Sequence, residues 1–235
     1  MKCAWLMPVL LGLGLGGCAT AGVERSAADP WEGMNRKIYA FNDAIDRNAL
    51  RPVAQGYEKA VPLPARVGVS NFLGNIEDVW TGVNNLLQGK PCEGGLDFGR
   101  FVLNSTVGIL GFFDVASEFG MDKRDEDFGQ TLGRWGVEPG PYLMLPLFGP
   151  SSVRDGFGWG VDMVASPRSQ IPDWEVRTGL MALGVVNTRA QLLGADAALD
   201  QAALDKYAYL RDFYLQRRRS QVYDGRPPRE DDFFE

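Results

Sequence analysis

The sequence predicts a mainly α-helical single domain behind a short leader. Two observations predict it: apolar residues recur at spacings of three and four over several long stretches, and the chain of 235 residues with 45% hydrophobic content amounts to one large domain with an ordinary core. A third narrows it, because one of those stretches is apolar around most of its circumference. The balance of 24 Lys+Arg against 30 Asp+Glu gives −6 and disfavours nucleic acid recognised by charge. Histidine is absent, which removes the commonest general base and the commonest nitrogen ligand of metals. No cofactor motif survives inspection: Gly12, Gly14 and Gly17 fit G-x-G-x-x-G, but no strand precedes them. No G-x-x-x-x-G-K-[ST] loop exists, and no catalytic or metal-ligating set is assigned.

Residues 1–17 are expected to be an export signal. Lys2 gives the positive start, an apolar run follows, and Leu15-Gly16-Gly17-Cys18 resembles a bacterial lipobox. On that pattern Cys18 is acylated as the new N-terminus, and Ala19 after it sorts the lipoprotein to the outer membrane. The run is shorter than the ~20 residues that span a bilayer. Residues 18–28 then form an acylated tether whose ten residues after Cys18 reach at most ~35 Å. Cys92 is left without a disulfide partner, as a small buried residue or an exposed thiol.

Asp29-Pro30-Trp31-Glu32 reads as a helix start with Asp29 as N-cap, and Trp31, Met34, Ile38, Phe41 and Ile45 give one apolar face ending near Arg51-Pro52. A second helix is predicted over 65–88. Its apolar side carries Phe72, Leu73, Ile76, Val79 and Trp80; opposite lie Asn71, Asn75, Asp78, Gly82 and Asn85. That small, nearly uncharged polar stripe is either a solvated face or the wall of a water-filled passage. Residues 96–119, plotted as one helix, gather Asp97, Arg100, Asn104, Gly108, Gly111, Asp114 and Glu118 in a narrow stripe, with apolar residues nearly everywhere else. The uncharged stretch 101–113 would be ~20 Å long, about one leaflet of a ~30 Å hydrocarbon core.

Between 129 and 160 the density of Gly and Pro predicts an ordered loop region or short kinked elements. Inside it Tyr142, Leu143, Met144, Leu145, Pro146, Leu147 and Phe148 form an apolar segment that is buried, covers a ligand or sits in lipid. Residues 173–223 return to helical spacing, with Arg217, Arg218 and Arg219 near the end, and 224–235 reads as an acidic tail.

Several of these stretches resemble the MlaA/VacJ phospholipid-binding lipoproteins. Phe128-Gly129-Gln130-Thr131-Leu132-Gly133, Gly140-Pro141-Tyr142, Leu145-Pro146, Gly149-Pro150-Ser151 and Arg154-Asp155 carry the resemblance; Tyr39-Ala40-Phe41-Asn42, Ser70-Asn71-Phe72, Asn84-Asn85-Leu86-Leu87-Gln88-Gly89 and Arg189 support it, over residues 29–219 in order. The resemblance implies a ring-like helical domain, residues 29–223, embedded in one membrane leaflet with a central amphipathic channel. It implies phospholipid as cargo, a trimeric outer-membrane porin as neighbour and a soluble periplasmic carrier as recipient.

On this reading Asn71, Asn75, Asn85 and Asn104 hydrogen-bond water or headgroup, Arg100 attracts phosphate, and Asp114 and Glu118 keep phosphate from binding irreversibly. Residues 142–148 would gate the passage or touch acyl chains. Replacing Arg100 or Asn104 by leucine is then expected to spare folding and stop transfer. Two other readings remain open: an outer-membrane-anchored glycan-cleaving enzyme with Glu118 or Glu126 as acid, and a structural lipoprotein bracing a porin.

Overall fold

The computed structural model describes residues 27–228, apart from the side chains of residues 197–202. The signal segment, Cys18, most of the tether and the end of the acidic tail lie outside the described residues. The fold is mainly helical, with one two-stranded hairpin: α1 (Glu32–Ile45), a π-helical turn (Asp46–Leu50), α2 (Arg51–Ala60), α3 (Leu63–Leu87), α4 (Pro91–Thr106), α5 (Val115–Glu118), α6 (Phe128–Arg134), β1 (Tyr142–Leu145), β2 (Gly149–Ser152), α7 (Val153–Ala165), a 3-10 turn (Pro167–Gln170), α8 (Trp174–Ala202) and α9 (Lys206–Val222). Among the described residues no helix is long and apolar enough to cross a membrane.

The helical run does not stop at Arg51-Pro52. Pro52 has no N–H and would crowd the carbonyl four residues back, so the wider π turn at Asp46–Leu50 shifts the register and α2 continues. Asp29 is not the N-cap either; Trp31 holds that position. Asp29 is instead buried, accepting from Asn35 Nδ2 at 2.8 Å and from the Tyr207 hydroxyl, which ties the start of the chain to α9.

The single rod expected over 96–119 is a correction. Helix α4 ends at Thr106, and Ile109, Leu110 and Gly111 all take positive φ, reversing the chain before α5. Gly108 makes the reversal possible: a Cβ there would sit 2.6 Å from the Asn104 carbonyl oxygen. The glycine-rich region 129–160 holds short elements, α6 and the hairpin, and then the start of the 13-residue α7, which runs on to Ala165. Its Gly158 lets α7 cross α6 against the backbone of Gly129. Asp127 and Ser152 cap these two helices, accepting from the backbone N–H of Gln130 and Asp155.

Packing runs in a circuit. Helix α3 contacts α8, α8 contacts α2, and α2 follows α1 through the π turn; α1 contacts β1, β1 contacts α7, α7 contacts the 3-10 turn, and that turn contacts α3. Arg189 locks α8 to the π turn with two bonds to Asp46, at 2.7 and 2.9 Å, while Asp196 receives Arg189 at 2.9 Å and Arg51 at 2.6 Å. The hairpin is held from α1 by two asparagines seven residues apart, hence on one helix face. Asn35 donates to the Tyr142 carbonyl and accepts from Met144 N–H; Asn42 donates to the Leu145 carbonyl and accepts from Leu147 N–H. Each amide stands in for a neighbouring peptide group along an otherwise bare strand edge.

Burial is reversed relative to a water-soluble domain. Buried polar and charged side chains outnumber buried apolar ones among the described residues, and the small apolar core is Tyr142, Met144 and Tyr207 with flanking α1 and α9 residues. Large apolar side chains face outward along most of the longer helices and in the reversal after α4, including Val53, Val102, Leu110 (66% exposed) and Phe157. In water such an exterior is an association surface; against hydrocarbon it carries no desolvation cost.

Candidate functional site: a polar seam and a passage through the ring

The expected polar stripes of α3 and α4 face each other. Asn85 donates to Asp97 at 2.6 Å, and Asn75 donates to the Ser105 hydroxyl at 2.8 Å. Asn84 accepts from Thr131 at 2.8 Å, drawing α6 onto the same seam. The α3 stripe is therefore neither a solvated face nor wholly a lumen wall; much of it glues two helices.

Asp114 joins the seam through the chain reversal rather than helical phase. Its carboxylate receives both oxygens' worth of Arg100 Nη2 contact at 3.0 Å and Asn104 Nδ2 at 2.9 Å. Asn104 turns its oxygen to the Ala116 N–H at 2.8 Å. Arg100 also donates to Ser117 Oγ and the Met121 carbonyl and lies 3.6 Å from Asp78, which pairs with Lys123. At 2% exposure Arg100 is a buried structural cation whose two Nη groups are committed to protein acceptors, while its buried Nε has none. Attraction of phosphate by Arg100 is thus not its evident work, and Glu118 does not join the seam: it is exposed on α5. Asn71, half-buried, donates to the Phe112 carbonyl at 3.2 Å. Glu126, the other enzyme candidate, accepts from Gln88 at 2.8 Å beside Lys90, a junction of α3 and α4. Cys92 is exposed.

Three cavities adjoin one another through shared lining residues. One of about 220 Å³ brings together Asn71, Asn75, Arg100, Asn104 and Asp114 at the seam; Ser70 and Gly74 connect it to a second of about 680 Å³ at the centre of the packing circuit. The second is lined from the π turn, α3, the hairpin tip, the 3-10 turn and α8. Arg168 and Met181 link it to a third of about 510 Å³ beside α7. The α8 wall was missed by the sequence reading. Asn187 donates to Ser70 Oγ at 2.7 Å and receives the Tyr57 hydroxyl at 3.0 Å, and Gly184, Thr188 and Gln191 lie on the same side. Their spacing of four, three and seven residues was the available signal.

The 142–148 segment divides in two. Tyr142 and Met144 are buried in the core, with Leu143 and Leu145 half-buried; Pro146, Leu147 and Phe148 form the exposed tip. Leu147 and Phe148 line the central cavity, and Phe148 lies 4.2 Å, ring centre to ring centre, from Trp159 of the third.

Buried carboxylates split by environment. Burial pushes Asp78 and Asp97 up, more than their neighbouring cations and Asn85 pull them down. For Asp114 burial also acts upward, but Ser117, Asn104 and Arg100 outweigh it and hold it at about 2; for Asp155 burial is outweighed by Arg218 and Tyr214, again at about 2. An acid with a lowered native pKa stabilises fully above its unfolded value near ~4 and loses that contribution as pH falls towards 2. The raised pair acts oppositely, since the folded state takes up their protons first. Thermal unfolding is therefore expected to hold or improve on mild acidification and to worsen between pH ~4 and ~2. In Asp155→Asn the acid-side loss should shrink; an unchanged pH profile would contradict the assignment.

Known proteins match this architecture. Residues 27–221 match the family model of the MlaA lipoprotein. The chain is 42% identical over 206 residues to the intermembrane phospholipid transport system lipoprotein MlaA of Shigella flexneri, covering 86% of this chain and 81% of that one. It is 33% identical over 239 residues to the protein of the same name in Haemophilus influenzae, covering 96% and 93%. A solved structure presented as "Structural basis for maintenance of bacterial outer membrane lipid asymmetry" superposes with a TM-score of 0.74 at 37% identity, over 86% of this chain and all of the other. With family model, identity over most of both chains and fold in agreement, this chain belongs to the MlaA lipoprotein family.

Proposed function

We propose that the protein is an outer-membrane lipoprotein, anchored through Cys18 from the periplasmic side, that removes phospholipid from the outer leaflet through the ring and so maintains lipid asymmetry. The observation that carries this reading is the reversed burial around connected cavities of mixed lining: apolar residues coat much of the outside, while Asn, Ser, Thr and charged side chains line the seam cavity and share the central one with Leu50, Leu73, Val185 and Leu192. Taking a two-chain lipid with ~30 methylenes wholly into water would cost ~24 kcal/mol at ~0.8 kcal/mol each. A polar passage in a greasy body lowers that cost by moving the headgroup through the interior while the chains stay against hydrocarbon or apolar walls.

The tip residues Leu147 and Phe148, seated where two cavities meet, gate the passage on this reading. A trimeric porin is the neighbour that holds the ring in the leaflet, and a soluble periplasmic carrier receives the lipid; both come from the family resemblance. The buried stripe supports the passage only in part, with Asn71, Asn75, Asn104 and Asp114 at its polar end.

Cells lacking the protein are expected to accumulate phospholipid in the outer leaflet, measurable with an outer-leaflet-specific lipid acylation assay. The wild-type chain should restore the normal level, whereas Cys18→Ala should leave the membrane fraction and fail to restore it. Unchanged outer-leaflet phospholipid on deletion would reject the reading, and a membrane-retained Cys18→Ala protein would reject the anchor.

A further inference from the structure

Among the described residues that line the passage, one cation stands without a carboxylate. Arg177, in the first turns of α8, lines the 510 Å³ cavity and donates only to the carbonyls of Ser169 and Ile171, both at a long 3.4 Å. Among the described residues no acid lies within ion-pair distance of it. The other charges on that cavity are accounted for. Arg168 pairs with Glu77 at 2.7 Å, and Glu77 also receives Ser166. Asp162 accepts from Trp80 Nε1 at 2.7 Å and from Phe128 N–H at 3.0 Å. Trp159 lines the same cavity with its indole N–H unmatched by any acceptor among the described residues, while Met163, Val164 and Met181 supply apolar wall.

A cationic fork and an indole donor beside a methionine and valine wall suit a phosphate diester joined to acyl chains. We propose that this cavity is the subsite where a glycerophospholipid is held, its phosphate on Arg177 and Trp159 Nε1 and the first acyl carbons against Met163, Val164 and Met181. The inference rests on the transport reading and deepens it, because it moves phosphate recognition from the buried Arg100 to Arg177. Arg168, shared with the central cavity, then lies on the route from this subsite to the hairpin tip.

The test uses the full lipidated chain purified in mild detergent, with bound lipid counted by native mass spectrometry after mixing with dioleoyl phosphatidylglycerol or dioleoylglycerol. The wild-type protein should retain the phosphatidylglycerol and not the dioleoylglycerol, and millimolar inorganic phosphate should not displace it. Arg177→Gln should weaken retention about tenfold, the loss typical of a charged hydrogen-bond donor. Arg177→Lys should keep most of it, and Trp159→Phe should cost about two- to threefold. The unfolding temperature of Arg177→Gln should match wild type, since only two long bonds are removed.

Equal retention by wild type and Arg177→Gln would overturn the subsite and leave the transport reading standing. Equal retention of dioleoylglycerol, or displacement by inorganic phosphate, would overturn phospholipid recognition here in favour of a greasy cleft or a free-anion site. A wild-type chain that retains neither lipid would remove the transport reading itself.

Discussion

Arg100→Leu is expected to destabilise the protein by about 3–5 kcal/mol, because it removes one partner of a buried ionic cluster and leaves the others charged. Asp114 would lose its two contacts from the guanidinium, Asp78 its nearby positive charge, and Ser117 and the Met121 carbonyl their donor. The α4–α5 connection hangs on that cluster, so unfolding followed by circular dichroism should shift to markedly lower denaturant or temperature. This replaces the expectation, drawn from the stripe alone, that leucine at this position would spare folding. Asn104→Leu should share the defect to a smaller degree, since it breaks the bonds to Asp114 and the Ala116 N–H. Wild-type stability in Arg100→Leu would mean that the cluster does not hold the seam.

Gly158→Ala should be the next most damaging change for its size. The added methyl would meet the backbone nitrogen of Gly129 and lie 2.6 Å from its Cα, and backbone cannot swing aside as a flexible side chain can. Overpacking of this kind costs about 1–3 kcal/mol, or more where helices must separate. The consequence should spread beyond α6 and α7. Arg218 of α9 binds Asp127 at 2.6 and 2.9 Å and Asp155 at 2.9 Å, reaching across that crossing, so a shift of α7 strains the attachment of α9. Gly160→Ala, where nothing lies within 4 Å of the added methyl, is the matched control and should fold as wild type. Because alanine favours a helix over glycine, propensity alone would stabilise both variants, and equal loss in both would mean that the crossing is not the cause.

Helix α3 was legible because its period is uninterrupted over seven turns, and the polar stripe opposite its apolar side announced an unusual burial. Which way the helix faced was not legible. Periodicity is the same whether the greasy side turns to a core or to lipid, and only the partners of Asn75, Asn84 and Asn85 show the polar side inside. The rod over 96–119 failed at Gly108 and Gly111, where a helical-wheel plot counts glycine as a small polar residue and ignores the close backbone approach allowed at Gly108 and the positive φ taken at Gly111. Asp114 still met Arg100 and Asn104, through a turn instead of a face.

In residues 142–148 the sequence displayed an apolar segment, and the division into a buried Tyr142 and Met144 and an exposed tip depends on Asn35 and Asn42, more than a hundred residues away. The α8 wall escaped because Gly184, Asn187, Thr188 and Gln191 look like an ordinary solvated face until Ser70 and Tyr57 are brought against them. Arg177 was equally silent: an arginine is marked out by missing acids, which no linear pattern records.

The central claim, that the apolar exterior rests in hydrocarbon around a wet interior, is tested most directly by thiol labelling in intact outer membranes. In a Cys92→Ser background, single cysteines at Val102, Leu110 and Phe157 represent the exterior, and cysteines at Asn71, Thr188 and Gln191 represent the interior. A water-soluble maleimide should label the interior set within minutes and leave the exterior set unmodified until the membranes are dissolved in denaturant. Labelling of Val102, Leu110 and Phe157 as fast as of Thr188 would place those faces in water and contradict the account.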